Sequence, residues 1–293
     1  MEMSVVIATK DRQRYLERTL ASLREQAGAP SFEVIVVDNG STDGTRSVVD
    51  ARAGGGFPVS YVSEPQPNRG KARNRGVDAA RGEYVLFCDD DVQLPAGWLA
   101  AHRAAHRAGE RVVNGPILNV ESYARRPAPR PVNYSRAFLC TCNASLSKRA
   151  FLAAGGFDEA FELYGWEDTE LGVRLRDFGL GWTFAWDAYL WHIKPPEENT
   201  LAVEIRKALE RAQMARRFVT KHPSQRARLA TGAYGLNVLR GRYLLPDWLL
   251  ALYAGFATSA RAPKWIAGLT RAQLLDAVYT RELVRALDTA DGR

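Results

Sequence analysis

Three consecutive carboxylates, Asp89-Asp90-Asp91, follow the apolar run Tyr84-Val85-Leu86-Phe87-Cys88 without a spacer. Adjacent carboxylates repel one another and are tolerated where a cation or a basic ligand group neutralises them. On an extended backbone alternate side chains share a side, so Asp89 and Asp91 can converge on one divalent ion while Asp90 points away. A solvated acidic turn is the alternative reading. Asp38 ends a second apolar run in Val36-Val37-Asp38-Asn39-Gly40-Ser41-Thr42-Asp43-Gly44-Thr45. A carboxylate there can accept a hydrogen bond from a nucleotide base or ribose, and the glycines let the backbone approach closely.

The stretch Asn68-Arg69-Gly70-Lys71-Ala72-Arg73-Asn74-Arg75 opens a helix with four cations, a composition suited to phosphate or to a solvated basic face. Lys71 and Arg75 share one face and Arg69 and Arg73 another, so one pair is expected to meet a ligand. Trp166-Glu167-Asp168-Thr169-Glu170 begins a further helix after Gly165. Acids in a first turn favour the helix dipole and require no function. His192 ends an apolar strand just before Lys194-Pro195-Pro196, and with the Asp triplet in the same chain it is read as a ligand. His102 and His106 stand at i, i+4 but lack the Glu of a zinc-protease helix; Arg103 takes its place, and the pair is read as part of a solvated face. There is no G-x-G-x-x-G after the first strand and no phosphate-loop motif.

Strand and helix patterns alternate over the first 90 residues. Strands are expected at 5–8, 34–37, 59–62 and 83–88, and helices over 12–26 and 69–80, with Thr42 or Asp43 capping a helix between them. Apolar strands separated by helices argue for an α/β fold whose ligands bind at the carboxyl ends of strands. From 95 to 200 the pattern is mixed, with helices near 97–108, 147–154 and 167–178, a Pro/Arg-rich loop at 125–131, and a strand from Trp182 to Trp186 leading to His192. Beyond Pro195-Pro196 the chain is helical, and a domain boundary is expected near residue 198, giving units 1–198 and 199–293.

The 293 residues carry a net charge of +7. Residues 201–250 hold ten Lys/Arg and three acids and so account for all of it, which suggests an anionic partner or a solvated helix face. Residues 243–260 are apolar and aromatic, flanked by Arg240, Arg242 and Arg261. They are read as packing against the rest of the chain or a second copy, with a membrane interface as the alternative. Composition excludes disorder, and three cysteines exclude a disulfide scaffold. Neither a signal peptide nor a membrane-spanning run is expected, which favours a cytoplasmic protein. No aromatic-basic motif supports a nucleic-acid partner.

Taken together, the motifs resemble the family 2 glycosyltransferases. They run in order as 5–12 (VVIATKDR), 36–45 (VVDNGSTDGT), 70–76 (GKARNRG), 87–91 (FCDDD), 142–146 (CNASL), 155–159 (GGFDE) and 165–175 (GWEDTELGVRL). The second half is most similar to the branch holding chondroitin-type polymerases and galactosyltransferase-like domains. The resemblance implies the GT-A fold, a mixed and mostly parallel sheet between helices, here with an α-helical C-terminal extension. It implies transfer of a sugar from a nucleoside-diphosphate sugar, usually UDP-linked, to a hydroxyl of a glycan or other acceptor, with inversion. By the same resemblance Thr9, Asp38, Lys71, Arg75, Asp89 and Asp90 would bind the donor, Asp91 and His192 would hold Mn²⁺ or Mg²⁺, Asp168 would be the catalytic base, and Trp166 and Glu167 would shape the acceptor site. The first motif departs from the family's Pro-x-Tyr/Phe-Asn-Arg, reading Ala8-Thr9-Lys10-Asp11-Arg12. A sugar-phosphate nucleotidyltransferase and a catalytically inactive nucleotide-sugar or glycan-binding module are the rival readings. Peripheral membrane contact and homo-oligomerisation are further expectations.

Overall fold

The computed structural model describes residues 1–52, 56–259 and 261–289. The chain falls into two compact units, the first made of Met1–Glu162 and Glu167–Pro195, the second of Leu163–Trp166 and Pro196–Arg293.

The first unit begins with β1 (Met3–Thr9), α1 (Gln13–Leu23), β2 (Phe32–Asp38), α2 (Thr45–Asp50), β3 (Val59–Ser63), α3 (Arg69–Ala79) and β4 (Tyr84–Cys88). It continues through β5 (Val92–Gln93), α4 (Trp98–Ala105), β6 (Arg111–Asn114), β7 (Ile117–Val120), β8 (Asn143–Ser147), α5 (Lys148–Ala153), α6 (Glu167–Asp177), β9 (Gly181–Phe184) and β10 (Leu190–Ile193). Seven strands form one sheet in the order β3-β2-β1-β4-β8-β6-β9, and β5-β10-β7 form a second. β1 runs parallel to β2 and β4, and β2 parallel to β3, whereas β8 is antiparallel to both β4 and β6. The sheet is therefore mixed.

Both faces of the large sheet are covered, as near-continuous β-branched strands require. Val5, Ile7, Val34, Val36 and Leu86 turn to one face, where they pack with Leu16, Leu20 and Trp98. Val6, Ile35, Val37 and Phe87 turn to the other, against Val77, Phe151, Phe157 and Leu171. The period of two along each strand thus feeds two cores. α3 lies against β1 and β2 at Gly76, where an added Cβ would stand 2.4 Å from Val6 Cγ1 and 3.0 Å from Val37 Cγ2. That close approach fixes the rotation of α3: Ala72, Arg73, Gly76 and Val77 are buried. α2 is preceded by Gly44, not by a capping Thr42 or Asp43, although Asp43 accepts hydrogen bonds from Thr45 N and Oγ1.

The solvated reading of His102 and His106 is overturned. Both are buried, because α4 turns Trp98, Leu99 and His102 inward. His102 Nδ1 lies 2.9 Å from Ser145 Oγ and its Nε2 3.0 Å from Asn143 Oδ1, while His106 Nε2 lies 2.8 Å from Ser145 Oγ. Burial lowers their pKa values to about 4 and about 3, so both are neutral structural groups. The three cysteines are free; Cys88 is buried, Cys140 and Cys142 half-buried.

The second unit holds α7 (Leu201–Lys221), α8 (Gln225–Thr231), α9 (Gly235–Tyr243), α10 (Asp247–Thr258) and α11 (Lys264–Asp288). Its core joins Ala212, Ala215 and Val219 of α7 to Tyr279 and Leu283 of α11. α10 lies beside α11, yet none of its residues is buried.

Candidate active site

The parallel strands β1, β2 and β4 deliver polar residues from their carboxyl ends to one edge of the sheet. Thr9 and Asp38 are register partners at the ends of β1 and β2. Thr9 Oγ1 donates to Asp90 Oδ2 at 2.6 Å. Asp38 accepts from Ser41 N at 2.7 Å on Oδ1 and from Tyr61 OH at 2.7 Å on Oδ2. The sequence-predicted base contacts therefore stand together, with Asp38 oriented by a loop amide and a phenol.

Two pairings that no local pattern reveals assemble the rest. β5 runs antiparallel to β10 with His192 opposite Val92, and Ile193 N donates to Asp91 O at 2.8 Å. β8 runs antiparallel to β4 with Asn143 opposite Cys88, which brings Cys142 next to Asp89. As a result Asp89, Cys142 and His192 each place one possible ligand atom within 4.8 Å of the others.

Asp91 is the most enclosed of the triplet, 1% exposed. Its Oδ2 is paired with Arg12 Nη2 at 3.0 Å and Lys194 Nζ at 3.2 Å. Its Oδ1 lies 3.0 Å from His192 Nε2, and both atoms are buried with no further hydrogen-bond partner among the described residues. Burial opposes ionisation of Asp91, but His192, Lys194 and Arg12 outweigh it and hold its carboxyl well below the ordinary range. Asp89 is one-third exposed, with Oδ2 3.8 Å from His192 Nε2. Two orphaned buried donors of the carboxylate and imidazole type, with a second carboxylate close by, fit a divalent cation such as Mn²⁺ or Mg²⁺. Cys142 Sγ lies 3.9 Å from His192 Nδ1. Burial, reinforced by Asp89, pushes its pKa far up, so it is a thiol, not a thiolate. Asp90 differs from its neighbours: burial lifts its pKa to about 7 against the opposing pull of Arg12, 3.6 Å away.

The cationic helix divides in an unexpected way. Lys71 Nζ and Arg75 Nη1 both meet the buried carboxylate of Glu64, at 3.3 and 3.1 Å. The cation that joins the Asp cluster is Arg73, 3.7 Å from Asp89 Oδ1 and 3.3 Å from Glu167 Oε1. Glu167 Oε2 is buried without a hydrogen-bond partner among the described residues. Asp168, next in the chain, is half-buried and accepts from Thr169 N at 2.8 Å. Burial first, then the neighbouring Glu167, raises its pKa to about 6, with Arg73 opposing. A carboxylate so tuned is mostly ionised at neutral pH and basic enough to take a proton. Trp166 belongs to the second unit, where it stacks on Phe218 at 5.4 Å and donates from Nε1 to Arg211 O at 2.9 Å. Its φ of 75° is rare for a bulky residue. The sequence does not single out Arg12 or Cys142, and it offers Arg73 only within the alternative pair with Arg69. Arg73 had a readable signal, since it shares a helical face with Ala72, Gly76 and Val77, the small and apolar residues that must face the sheet.

Comparison with known proteins bears on the family and the fold. A family model described as glycosyl transferase family 2 matches residues 4–156, and one described as the N-terminal domain of galactosyltransferase matches residues 126–195. The chain is 32% identical over 264 residues to a validoxylamine A glucosyltransferase of Streptomyces hygroscopicus subsp. limoneus, covering 76% of this chain and 57% of that protein. It is 25% identical over 244 residues to the chondroitin synthase of Escherichia coli, covering 67% of this chain and 35% of that one. The chain thus spans about three-fifths of the length of the first curated relatives it matches. Among solved structures, the mannosyltransferase PcManGT of Pyrobaculum calidifontis, in complex with GDP-Man and Mn²⁺, aligns with a TM-score of 0.65 at 21% identity over 98% of this chain and 86% of its own. The S. aureus protein TarS (residues 1–349), in complex with UDP, aligns with a TM-score of 0.57 at 20% identity over 100% and 92%. These likenesses carry the GT-A fold. With a family model spanning more than half of its length, the chain belongs to the family 2 glycosyltransferases.

Proposed function

We propose that this protein is a metal-dependent glycosyltransferase that moves a sugar from a nucleoside-diphosphate sugar, UDP-linked in the first instance, to an acceptor hydroxyl with inversion at the anomeric carbon. The observation that carries the reading is the pair of buried atoms Asp91 Oδ1 and His192 Nε2, 3.0 Å apart at the carboxyl end of the sheet, with no other hydrogen-bond partner among the described residues. Asp91 and His192 would hold Mn²⁺ or Mg²⁺, with Asp89 beside them. A divalent ion bound there supplies charge stabilisation for a departing diphosphate.

The chain's own residues do the remaining work. Thr9 and Asp38 receive the base, with Tyr61 and Ser41 fixing the Asp38 carboxylate. Lys71 and Arg75 stand ready to trade Glu64 for donor phosphate, and Asp89 and Asp90 complete the donor pocket. Arg73 bridges Asp89 and Glu167, offsetting the repulsion between these like charges, and restrains the pKa of Asp168. Asp168 removes the proton of the attacking hydroxyl, a role that contributes about 10²–10⁴-fold. Glu167 and Trp166 would shape the acceptor side. Support from relatives lies in their names, which specify glucosyl, N-acetylglucosaminyl and mannosyl transfer; these differ, so neither sugar nor acceptor is carried over. The cytoplasmic location, a homo-oligomeric state and peripheral contact with a membrane belong to the same proposal. Among the described residues, no helix is long and apolar enough to cross a membrane.

A panel of UDP- and GDP-sugars, incubated with the protein and assayed for nucleoside-diphosphate release, tests the reading. Release from one donor, requiring Mn²⁺ or Mg²⁺ and stopped by EDTA, is expected. Binding of a donor with no release under any acceptor would favour the inactive module, and pyrophosphate release from a sugar phosphate and a nucleoside triphosphate would favour the nucleotidyltransferase.

A further inference from the structure

Within the second unit, α9, α10 and the start of α11 expose apolar stripes at helical spacing. α9 is seated on α11 at Gly241, where a Cβ would stand 2.8 Å from Val284 Cγ2 and 2.9 Å from Thr280 Cγ2. This seating directs Leu239 and Tyr243 to the opposite side, and Tyr243 is 69% exposed. On α10, Trp248, Leu252 and Phe256 repeat every four residues and are all exposed, Trp248 by 68%. Trp265 opens α11 and is 71% exposed. Large apolar residues scattered singly on a surface are ordinary, but three consecutive helices with outward aromatic and leucine stripes are not.

The charges around this face bear on what could cover it. Arg240 and Arg242 are paired with Asp276 and Asp288 of α11, and Asp247, the single acid between residues 233 and 270, is paired with Arg281. Arg261 and Lys264, in the turn that leads into Trp265, have no ion-pair partner among the described residues. The face is thus an apolar patch with an unneutralised basic edge. In a two-fold contact made by this stretch alone, the second copy would offer these cations only Asp247, which Arg281 already holds. An anionic lipid surface answers both properties, because the stripes enter the acyl boundary, Trp and Tyr sit at headgroup level, and the cations meet lipid phosphate.

We propose that α9, α10 and the first turn of α11 form an interfacial membrane-binding surface selective for anionic lipid. The mode is peripheral, since no described helix is long and apolar enough to span. It narrows the peripheral contact already proposed to named residues and does not depend on the transferase reading, because its readout is vesicle sedimentation.

The full chain is mixed at low salt with vesicles of phosphatidylcholine alone or with about 30 mol% phosphatidylglycerol and sedimented. The wild type should sediment with the anionic vesicles and be released by salt. Trp248→Ser and Trp265→Ser should each lower the partition coefficient about tenfold without changing the melting temperature. The double variant Arg261→Glu/Lys264→Glu should lose the preference for anionic over neutral vesicles. The proposal is overturned if the wild type stays in the supernatant at low salt, or if the Trp variants bind as well as it does. Light scattering provides the other contradiction: a dimer dispersed by Trp248→Ser would assign the face to a second copy.

Discussion

The pKa of Asp168 makes the base assignment measurable before any acceptor structure is known. The group is raised from 3.8 to about 6, by burial and then by the adjacent Glu167. A base works only when ionised, so kcat/KM should climb with pH through the pKa of the free enzyme and level off above it. With a pKa of about 6, the rate at pH 5 falls roughly tenfold below the plateau, whereas an ordinary aspartate would lose only about a tenth or less. The assay is initial-rate sugar transfer from pH 4.5 to 8 at saturating metal, with the fold monitored by circular dichroism at each pH. Asp168→Asn should lower turnover by about 10²–10⁴-fold and flatten the acid limb, while leaving donor affinity within a few-fold of wild type. A variant that turns over normally, or one that is slow yet keeps the same acid limb, would assign the base to another group.

Arg73→Met should shift that acid limb to higher pH, because Arg73 opposes the rise in the Asp168 pKa; it should also cost about 3–5 kcal/mol of stability, since Glu167 would be left buried and unpaired, read as a lower urea midpoint. Gly76→Ala should destabilise the first unit by about 1–3 kcal/mol, because the new methyl meets Val6 and Val37; thermal melting checks this, and an unchanged melting temperature would mean that α3 can back away from the sheet.

Much of this site was legible because of where polar residues fall relative to apolar strands. Asp38 and Asp89–Asp91 directly follow β-branched or aromatic runs, and ligands of parallel sheets gather at those ends. Seven motifs in order carried the family, and the fold followed from it. What local pattern cannot supply is register between distant segments. His192 reaches Asp91 only through the small β5-β10-β7 sheet, and Cys142 reaches Asp89 only through the antiparallel β4–β8 pair. Helix rotation was the second gap. Lys71, Arg73 and Arg75 look alike in sequence, and the Gly76 contact with β1 decides which of them faces the Asp cluster. His102 and His106 were misjudged for the same reason, as the cations beside them outweighed Trp98 and Leu99 on the same helical face. Within the apolar segment 243–260, α10 does pack beside α11 and Leu245 is buried, but composition alone does not tell which of the apolar residues turn outward, as Trp248, Leu252 and Phe256 do.

Electron paramagnetic resonance titration of Mn²⁺, with and without UDP, addresses the central claim most directly. The wild type should bind one Mn²⁺ with an affinity that UDP strengthens, and Asp91→Asn and His192→Ala should each weaken it by at least about tenfold while the protein stays folded. Equal Mn²⁺ binding by wild type and both variants would contradict the account.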